Sequence, residues 1–412
     1  MGTPLLKDPL EESTVEVSRR GATRFLVVFV SALVALAIFA PGSRIPLAIV
    51  VGIVVMVMLH EAGHSVVAKR SGMKVTEFFL GFGPRLWSFR RGETEYGVKA
   101  LPLGGYVRII GMSNLEDVDP DDEPRTYRQG RYRNRLQVVL AGVAVNLLLA
   151  FALFFVVIVA RGVADGPSTT INAVVKGSAA AKAALRHGDR VVAIDGQPVA
   201  QWDDLRRMIE SSGRKPIVLT VVRDGRKIRV AATPKKENGQ GFLGVSPTTA
   251  FRHVSLVGAV PESFTFMGKL TAGTGEALGK LFSPSGVAEY SKNFTSDAPK
   301  AGSSADLNRP RSLVGIVDQG SSLVGNDWWT LLLLLGDVSL ILGVFNLLPV
   351  PPILDGGHAA IVVYEWAASK VTRRRVEVDY RKVLPIGVTF FALLMTIALS
   401  AMFLDVRQAI GQ

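Results

Sequence analysis

The stretch IPLAIVVGIVVMVMLHEAGHSVVAKR, residues 45–70, decides how this chain folds. From Ile45 to Leu59 it holds no charged side chain, and then His60, Glu61 and His64 fall within five positions. Ionisable groups at the end of an apolar helix are costly to bury in hydrocarbon and normally mark a functional site. Two histidines four apart on a helix lie about 40° apart around its axis, so both imidazoles can reach one metal ion at ~2.0–2.1 Å. Glu61 lies about 100° from His60 and can act on a water at that metal without becoming a ligand. The plainer reading, a helix end where His and Glu merely meet water, does not account for the ligand spacing.

The rest of the chain fits a membrane setting. Of its 412 residues 48% are hydrophobic and 20% charged, with a formal charge of +12. The apolar excess is gathered into five runs, 25–40, 45–59, 136–160, 328–348 and 383–404, with Arg135 and Asp337 the main charged intrusions. Runs near ~20 residues span ~30 Å of hydrocarbon, which excludes a soluble enzyme, a disordered chain and an alternating porin-type barrel. The absence of cysteine excludes disulfides and a thiol nucleophile. Basic residues crowd particular run ends: Lys69, Arg70 and Lys74; Arg125, Arg128, Arg131, Arg133 and Arg135; Lys370, Arg373, Arg374, Arg375, Arg381 and Lys382. They read as cytoplasmic ends facing membrane lipid, not as a nucleic-acid surface. The N-terminus is then cytoplasmic, residues 70–135 return to the cytoplasm, and the third, fourth and fifth runs go out, in and out. A competing reading takes residues 19–40 as a cleaved signal peptide, which leaves the remaining topology unchanged.

Between the third and fourth runs the chain has no long apolar stretch and is expected to be aqueous and extracytoplasmic. Strand-like alternation occurs at 171–175, 190–194, 217–222 and 228–232, turn dipeptides at Asp195-Gly196 and Asp224-Gly225, and a helical period over Trp202 to Ser211. The string from Val174 to Ala180, with Leu185, Gly188-Asp189, Ile194-Asp195-Gly196 and Val199 to Asp203, resembles a PDZ domain of the bacterial protease-associated type. It departs at Ala183-Ala184-Leu185, where that family usually has Ala-Gly-Leu. The resemblance implies either capture of a peptide or substrate ectodomain by strand addition or a steric filter that grips nothing. Residues 248–282 have amphipathic helical character, and 283–312, rich in Ser, Gly, Pro and Asp, read as a mobile linker.

A zinc site of this kind needs a third protein ligand. His187 and His253 lie in the external segment, which leaves Asp355 and His358 in NLLPVPPILDGGH, residues 346–358. Its prolines force the backbone out of helix, and irregular chain at membrane depth is tolerated only where it is packed in protein or lines a polar cavity.

Together, His-Glu-x-x-His in a span, Asn-x-x-Pro-x-Pro-x-Leu-Asp-Gly in a late span and the domain between them resemble a site-2 protease of the bacterial regulator-of-sigma-E protease group. The resemblance implies a polytopic α-helical membrane protein with an inserted extracytoplasmic α+β PDZ domain. It implies intramembrane zinc proteolysis in which His60, His64 and Asp355 hold Zn²⁺, Glu61 is the general base, and His358 supports the site without ligating. It also implies that Asn346, the Pro349 turn, and Gly104 and Gly105 of a β-loop over residues 99–108 contact substrate. The implied substrate is a single-span membrane protein resembling an anti-sigma factor, the location is the bacterial cytoplasmic membrane, and the site lies toward the cytoplasm. The expected organisation is an N-terminal tail and additional span (1–44), a first catalytic membrane segment (45–164), the PDZ domain (165–247), a post-PDZ region (248–327) and the last two spans (328–412). Two departures stand out: Val143 replaces a proline in the run Ala141-Gly142-Val143-Ala144-Val145-Asn146, and the span at 25–40 lies outside the four-span core. A PDZ adaptor with a vestigial metal site and a transporter with broken helices are the competing classes; the transporter predicts neither the ligand spacing nor the PDZ domain.

Overall fold

The computed structural model describes residues 31, 35–237, 239–295, 309–325, 327–350 and 352–410. The N-terminal run at 25–40 therefore falls largely outside the described residues. Among the described residues four helices are long and apolar enough to cross a membrane. They are α1 (Arg44–Arg70), α2 (Tyr132–Arg161), α8 (Trp328–Asn346) and α10 (Tyr380–Ala409). The second apolar run ends at Leu59, yet α1 continues for three more turns, so His60, Glu61 and His64 lie within the helix rather than at its tip. Lys69 and Arg70 close its last turn, where cations complement the helix dipole.

After α1 the chain forms two long strands, β1 (Val75–Arg91) and β2 (Thr94–Ile109). Each bends midway, so the pair folds into four rows. Val75 to Leu80 is flanked on one side by Glu95 to Val98 and on the other by Gly105 to Ile109, while Arg85 to Arg91 pairs with 94–99. The row 105–109 is an outer one, with no further strand beside it among the described residues. Phe79 stacks on Tyr106 across the pair, 5.8 Å between centroids, and is fully buried. Val75, Ile109 and Tyr127 join Ala68, Val138, Val139 and Val362 in one buried cluster, so the sheet is packed against the helices that carry the histidines.

Residues 157–262 form a second compact unit with its own core. Its main sheet runs β10 (Val245–Arg252), β3 (Val163–Val174), β4 (Arg190–Ile194), β6 (Ile217–Arg223) and β7 (Arg226–Ala232), and β5 (Gln197–Pro198) pairs with β4. A one-turn helix α3 (Ala179–Lys182) and α4 (Trp202–Ser211) complete it, with a small pair β8 (Lys235–Glu237) and β9 (Gln240–Phe242). The expected strands and the helix at 202–211 are present, although β3 starts at Val163, eight residues before the alternation becomes visible. Asp195-Gly196 and Asp224-Gly225 both have positive φ, the geometry that two-residue hairpin turns require. The core holds Ile171, Leu185, Val191, Leu205, Leu219 and Val221, all nearly inaccessible.

One buried charge fixes this core. Asp189, 1% exposed, accepts from Arg223 Nε at 2.7 Å and Nη2 at 2.6 Å, and from the Arg186 N–H at 2.9 Å. Burial pushes its carboxyl up, but the Arg223 guanidinium and the Arg186 N–H outweigh that and hold it below the usual carboxylate range. The folded pKa is depressed, so the stabilisation is present above pH ~4 and is lost as pH falls through the lower folded value. Arg223→Ala leaves a buried carboxylate without its cation and should destabilise this unit by roughly 3 kcal/mol. Hydrogen exchange of β4 and β6 amides in the full-length protein should show the loss at pH 7, with the gap between wild type and variant closing below pH ~4.

The segment expected to be a mobile linker is structured over much of its described length. After α5 (Leu256–Leu281), Ser283 caps α6 (Pro284–Ser291) by accepting from the Gly286 N–H, and Pro284 at the first helical position suits that start. Residues 309–312 are clamped to α10. The Asp405 carboxylate takes Arg309 Nη2 at 2.7 Å and both the N–H and hydroxyl of Ser312 at 2.7 Å. Composition suggests a linker, but caps and a buried ion pair order its described parts, 283–295 and 309–312. The chain continues as α7 (Leu313–Val324), whose Val324 packs with Ile49 of α1 and Leu331 of α8. Between α8 and α10 lies α9 (Asp355–Thr372), joined to α2 by a buried pair, Arg135 Nη1 to Glu365 Oε2 at 2.7 Å. Arg135 intrudes at the edge of an apolar run in the sequence; its partner lies 230 residues away.

Candidate active site

Four elements build the site. The α1 helix supplies His60, Glu61 and His64, α9 begins with Asp355, α8 ends with Asn346, and α2 forms the wall behind the imidazoles. Asp355 is carried in by the proline segment, which leaves α8 at Asn346 and folds through tight turns: Leu348 N–H donates to Phe345 O, Val350 N–H to Leu348 O, and Gly357 N–H to Leu354 O. Gly356 passes against the Leu347 carbonyl, where a β-carbon would overlap.

Three acceptor atoms converge. His60 Nε2 and His64 Nε2 are 3.2 Å apart, and Asp355 Oδ2 is 3.2 Å from the first and 3.3 Å from the second. His60 and His64 are 6% and 7% exposed. Asp355 Oδ2 is buried and has no hydrogen-bond partner among the described residues. Bonds of ~2.0–2.1 Å in a tetrahedral zinc site put ligand atoms about 3.3–3.4 Å apart, so the observed triangle and its two-nitrogen, one-oxygen donor set fit zinc. It is the group of His, Asp and Glu side chains able to hold a metal ion among the described residues.

The imidazoles are held so that Nε2 faces this point. His64 Nδ1 lies 2.7 Å from the Val138 carbonyl, which can only accept, so Nδ1 carries the proton and Nε2 the lone pair. His60 Nδ1 meets the Asn146 side-chain amide at 3.2 Å. With the amide nitrogen toward His60, Asn146 Oδ1 is buried without a partner. Turning the amide by 180° lets Oδ1 accept from His60 Nδ1–H, which again frees Nε2. Ser339 Oγ of α8 donates to the Asn146 carbonyl at 2.9 Å.

Sequence spacing does not reveal this wall: the Ala141–Asn146 run stands out only for its missing proline and for a lone Asn four residues after a Gly in an apolar span. Gly142 is where α2 presses on the site: a β-carbon there would lie 2.7 Å from His60 Cε1, 2.8 Å from His60 Nε2 and closer still to His64 Nε2. Gly63 makes the reciprocal approach, 2.8 Å from the Ala141 carbonyl by the same construction.

Glu61 points to the sheet rather than into the triangle. The Val107 backbone N–H donates to its carboxylate. Gly105 lets the outer row cross above it, since a β-carbon there would come 3.3 Å from Glu61 Cγ and 3.1 Å from Met58 Sδ. Gly104 next to it has φ 150°. Asn346 Nδ2 lies 3.4 Å from His60 Nε2, on the metal-facing side of that ring. Pro349 is exposed in the turn beyond α8. His358 stands outside the triangle, its Nδ1 3.3 Å from the Tyr380 hydroxyl, and His187 and His253 belong to the other unit.

Comparison with known proteins supplies the family. The model of peptidase family M50 matches residues 48–394, which includes the His60–His64 part of α1 and the Asp355 segment. The chain belongs to peptidase family M50. Among curated relatives of this M50 protein, the zinc metalloprotease Rip1 of Mycobacterium tuberculosis is 35% identical over 374 residues, covering 81% of this chain and 90% of the relative. A putative zinc metalloprotease of Clostridium acetobutylicum is 28% identical over 354 residues, covering 85% and 94%. The metalloprotease MmpA of Caulobacter vibrioides is 29% identical over 356 residues, covering 77% and 86%. The resemblance to site-2 proteases is thus borne out: this M50 chain is a zinc metalloprotease.

Proposed function

We propose that this zinc metalloprotease hydrolyses a peptide bond inside the transmembrane segment of a single-span membrane protein. The observation that carries the reading is the convergence of His60 Nε2, His64 Nε2 and Asp355 Oδ2 to within 3.3 Å, beside Glu61 and among helices long enough to cross a membrane. His60, His64 and Asp355 are the metal ligands. When bound, zinc supplies a Lewis acid that polarises the scissile carbonyl and acidifies a water. Glu61 takes the proton from that water and returns it to the leaving nitrogen. Asn346, with the Pro349 turn behind it, orients the substrate backbone next to His60. The outer row 105–109, preceded by Gly104, accepts an unwound substrate as an added strand, because a helical substrate shields its own carbonyls. His358 buttresses the Asp355 turn through Tyr380.

Residues 165–247 act as a PDZ domain on the opposite side of the membrane, binding a peptide or excluding an untrimmed ectodomain. The basic run ends support a zinc site facing the cytoplasm, from which the product is released inward, and an anti-sigma factor fits such a substrate. The enzyme then resides in the bacterial cytoplasmic membrane and performs regulated intramembrane proteolysis. The test pairs metal analysis with comparison of membrane proteomes from cells carrying wild type or His60→Ala. The variant should lose zinc, and single-span proteins should accumulate in it uncleaved. Accumulation of soluble proteins alone, or none at all in cells whose wild-type enzyme holds zinc, would reject the intramembrane reading.

A further inference from the structure

The helix that begins with Asp355 carries two unlike faces. Ile361, Val362 and Glu365 of α9 are buried, the last paired with Arg135. The opposite side is exposed and mostly apolar: Val363 is 49% accessible, Tyr364 60%, Trp366 46% and Val371 85%. Cations follow at its end. Lys370 Nζ lies 4.8 Å from the centre of the Trp366 ring, and Arg373 and Arg374 are exposed. No acidic side chain pairs with Lys370, Arg373 or Arg374 among the described residues, whereas neighbouring Arg375 is bound to Glu377 at 2.9 Å. Arg373 closes the helix at φ 55°, a position where glycine is the less strained choice. The chain re-enters an apolar helix at Tyr380, with Arg381 and Lys382 exposed in its first turn.

We infer that this end of α9 is a binding site for anionic phospholipid headgroups. The helix lies in the chain between one candidate span and the next, so its C-terminal end is suited to the bilayer edge. Aromatic rings followed by unpaired cations over one turn match the order of a bilayer edge: acyl boundary, then headgroup phosphates. A soluble acidic protein would satisfy the cations but would leave Val363, Tyr364 and Val371 in water, so the apolar face selects the lipid surface. The bound headgroups fix the depth of the helix whose first residue is Asp355. This site lies outside the proteolytic machinery, and lipid binding is read without any cleavage step, so its failure and that of the proposed proteolysis are separable.

The experiment uses full-length protein in vesicles of phosphatidylcholine with or without phosphatidylglycerol, followed by native mass spectrometry of the retained lipid. Wild type should retain phosphatidylglycerol in preference to phosphatidylcholine. Each basic residue near an anionic surface is worth about fivefold in affinity, so combined Lys370→Gln, Arg373→Gln and Arg374→Gln should weaken that preference about a hundredfold. Lys370→Arg with Arg373→Lys and Arg374→Lys should keep it, which separates charge from folding. Equal retention of the two lipids by wild type, or an undiminished preference in the triple Gln variant, overturns the inference, as does loss of preference in the charge-conserving variant.

Discussion

Glu61→Gln should lower peptide hydrolysis by about a thousandfold while zinc content stays at the wild-type level, the range expected for a lost general base. Gln has the same length, so it keeps the contact beneath Gly105, and its side-chain oxygen can still accept from the Val107 N–H that Glu61 engages. What it cannot do is take a proton from water. Cleavage of a transmembrane reporter in reconstituted vesicles, with zinc measured on the same sample, checks both halves. Retention of more than a tenth of the wild-type rate would remove Glu61 from the role of base.

Gly142→Ala should strip the site of zinc and activity although it improves the local helix. Alanine is favoured over glycine in a helix interior by about 1 kcal/mol, so α2 should form at least as well. The new methyl would stand 2.8 Å from His60 Nε2 and nearer to His64 Nε2, so both rings must turn away from Asp355. Metal constellations tolerate displacements of only about 0.5 Å, and zinc affinity should fall at least tenfold. Zinc retention under dialysis against a weak chelator checks this, with an unchanged helical circular dichroism signal as the control. A variant that binds zinc as wild type does would show that α2 can withdraw, and that the close approach has no part in orienting the histidines.

The site was unevenly legible. His60, Glu61 and His64 could be read because the proposed ligands and base lie on one helix, where sequence spacing fixes angular spacing. Asp355 could be singled out only through its proline segment, since nothing in residues 346–358 by itself decides between it and His358; the turns that bring Asp355 Oδ2 to 3.2 Å from His60 and leave His358 beside Tyr380 are tertiary. Asn146 and the Val138 carbonyl belong to a third element, and a backbone carbonyl leaves no trace in a side-chain pattern. The segment 283–312 misled for a related reason: Ser, Gly and Pro report low helix propensity, but not the Ser283 cap or the Asp405 carboxylate that order its described parts.

Spacing and composition alone reveal that apolar helices carry this chain, that a His-x-x-x-His pair spaced to reach one metal ion sits on one of them, and that basic residues gather at particular helix ends. These are local or compositional properties, set by the period of a helix and the cost of burying charge. Packing, in contrast, sets which oxygen completes the triangle, why Arg135 is tolerated beside Glu365, and how closely α2 approaches the histidines at Gly142. Each of those depends on a contact between residues far apart in the chain, and such distances follow from packing rather than from spacing along the sequence.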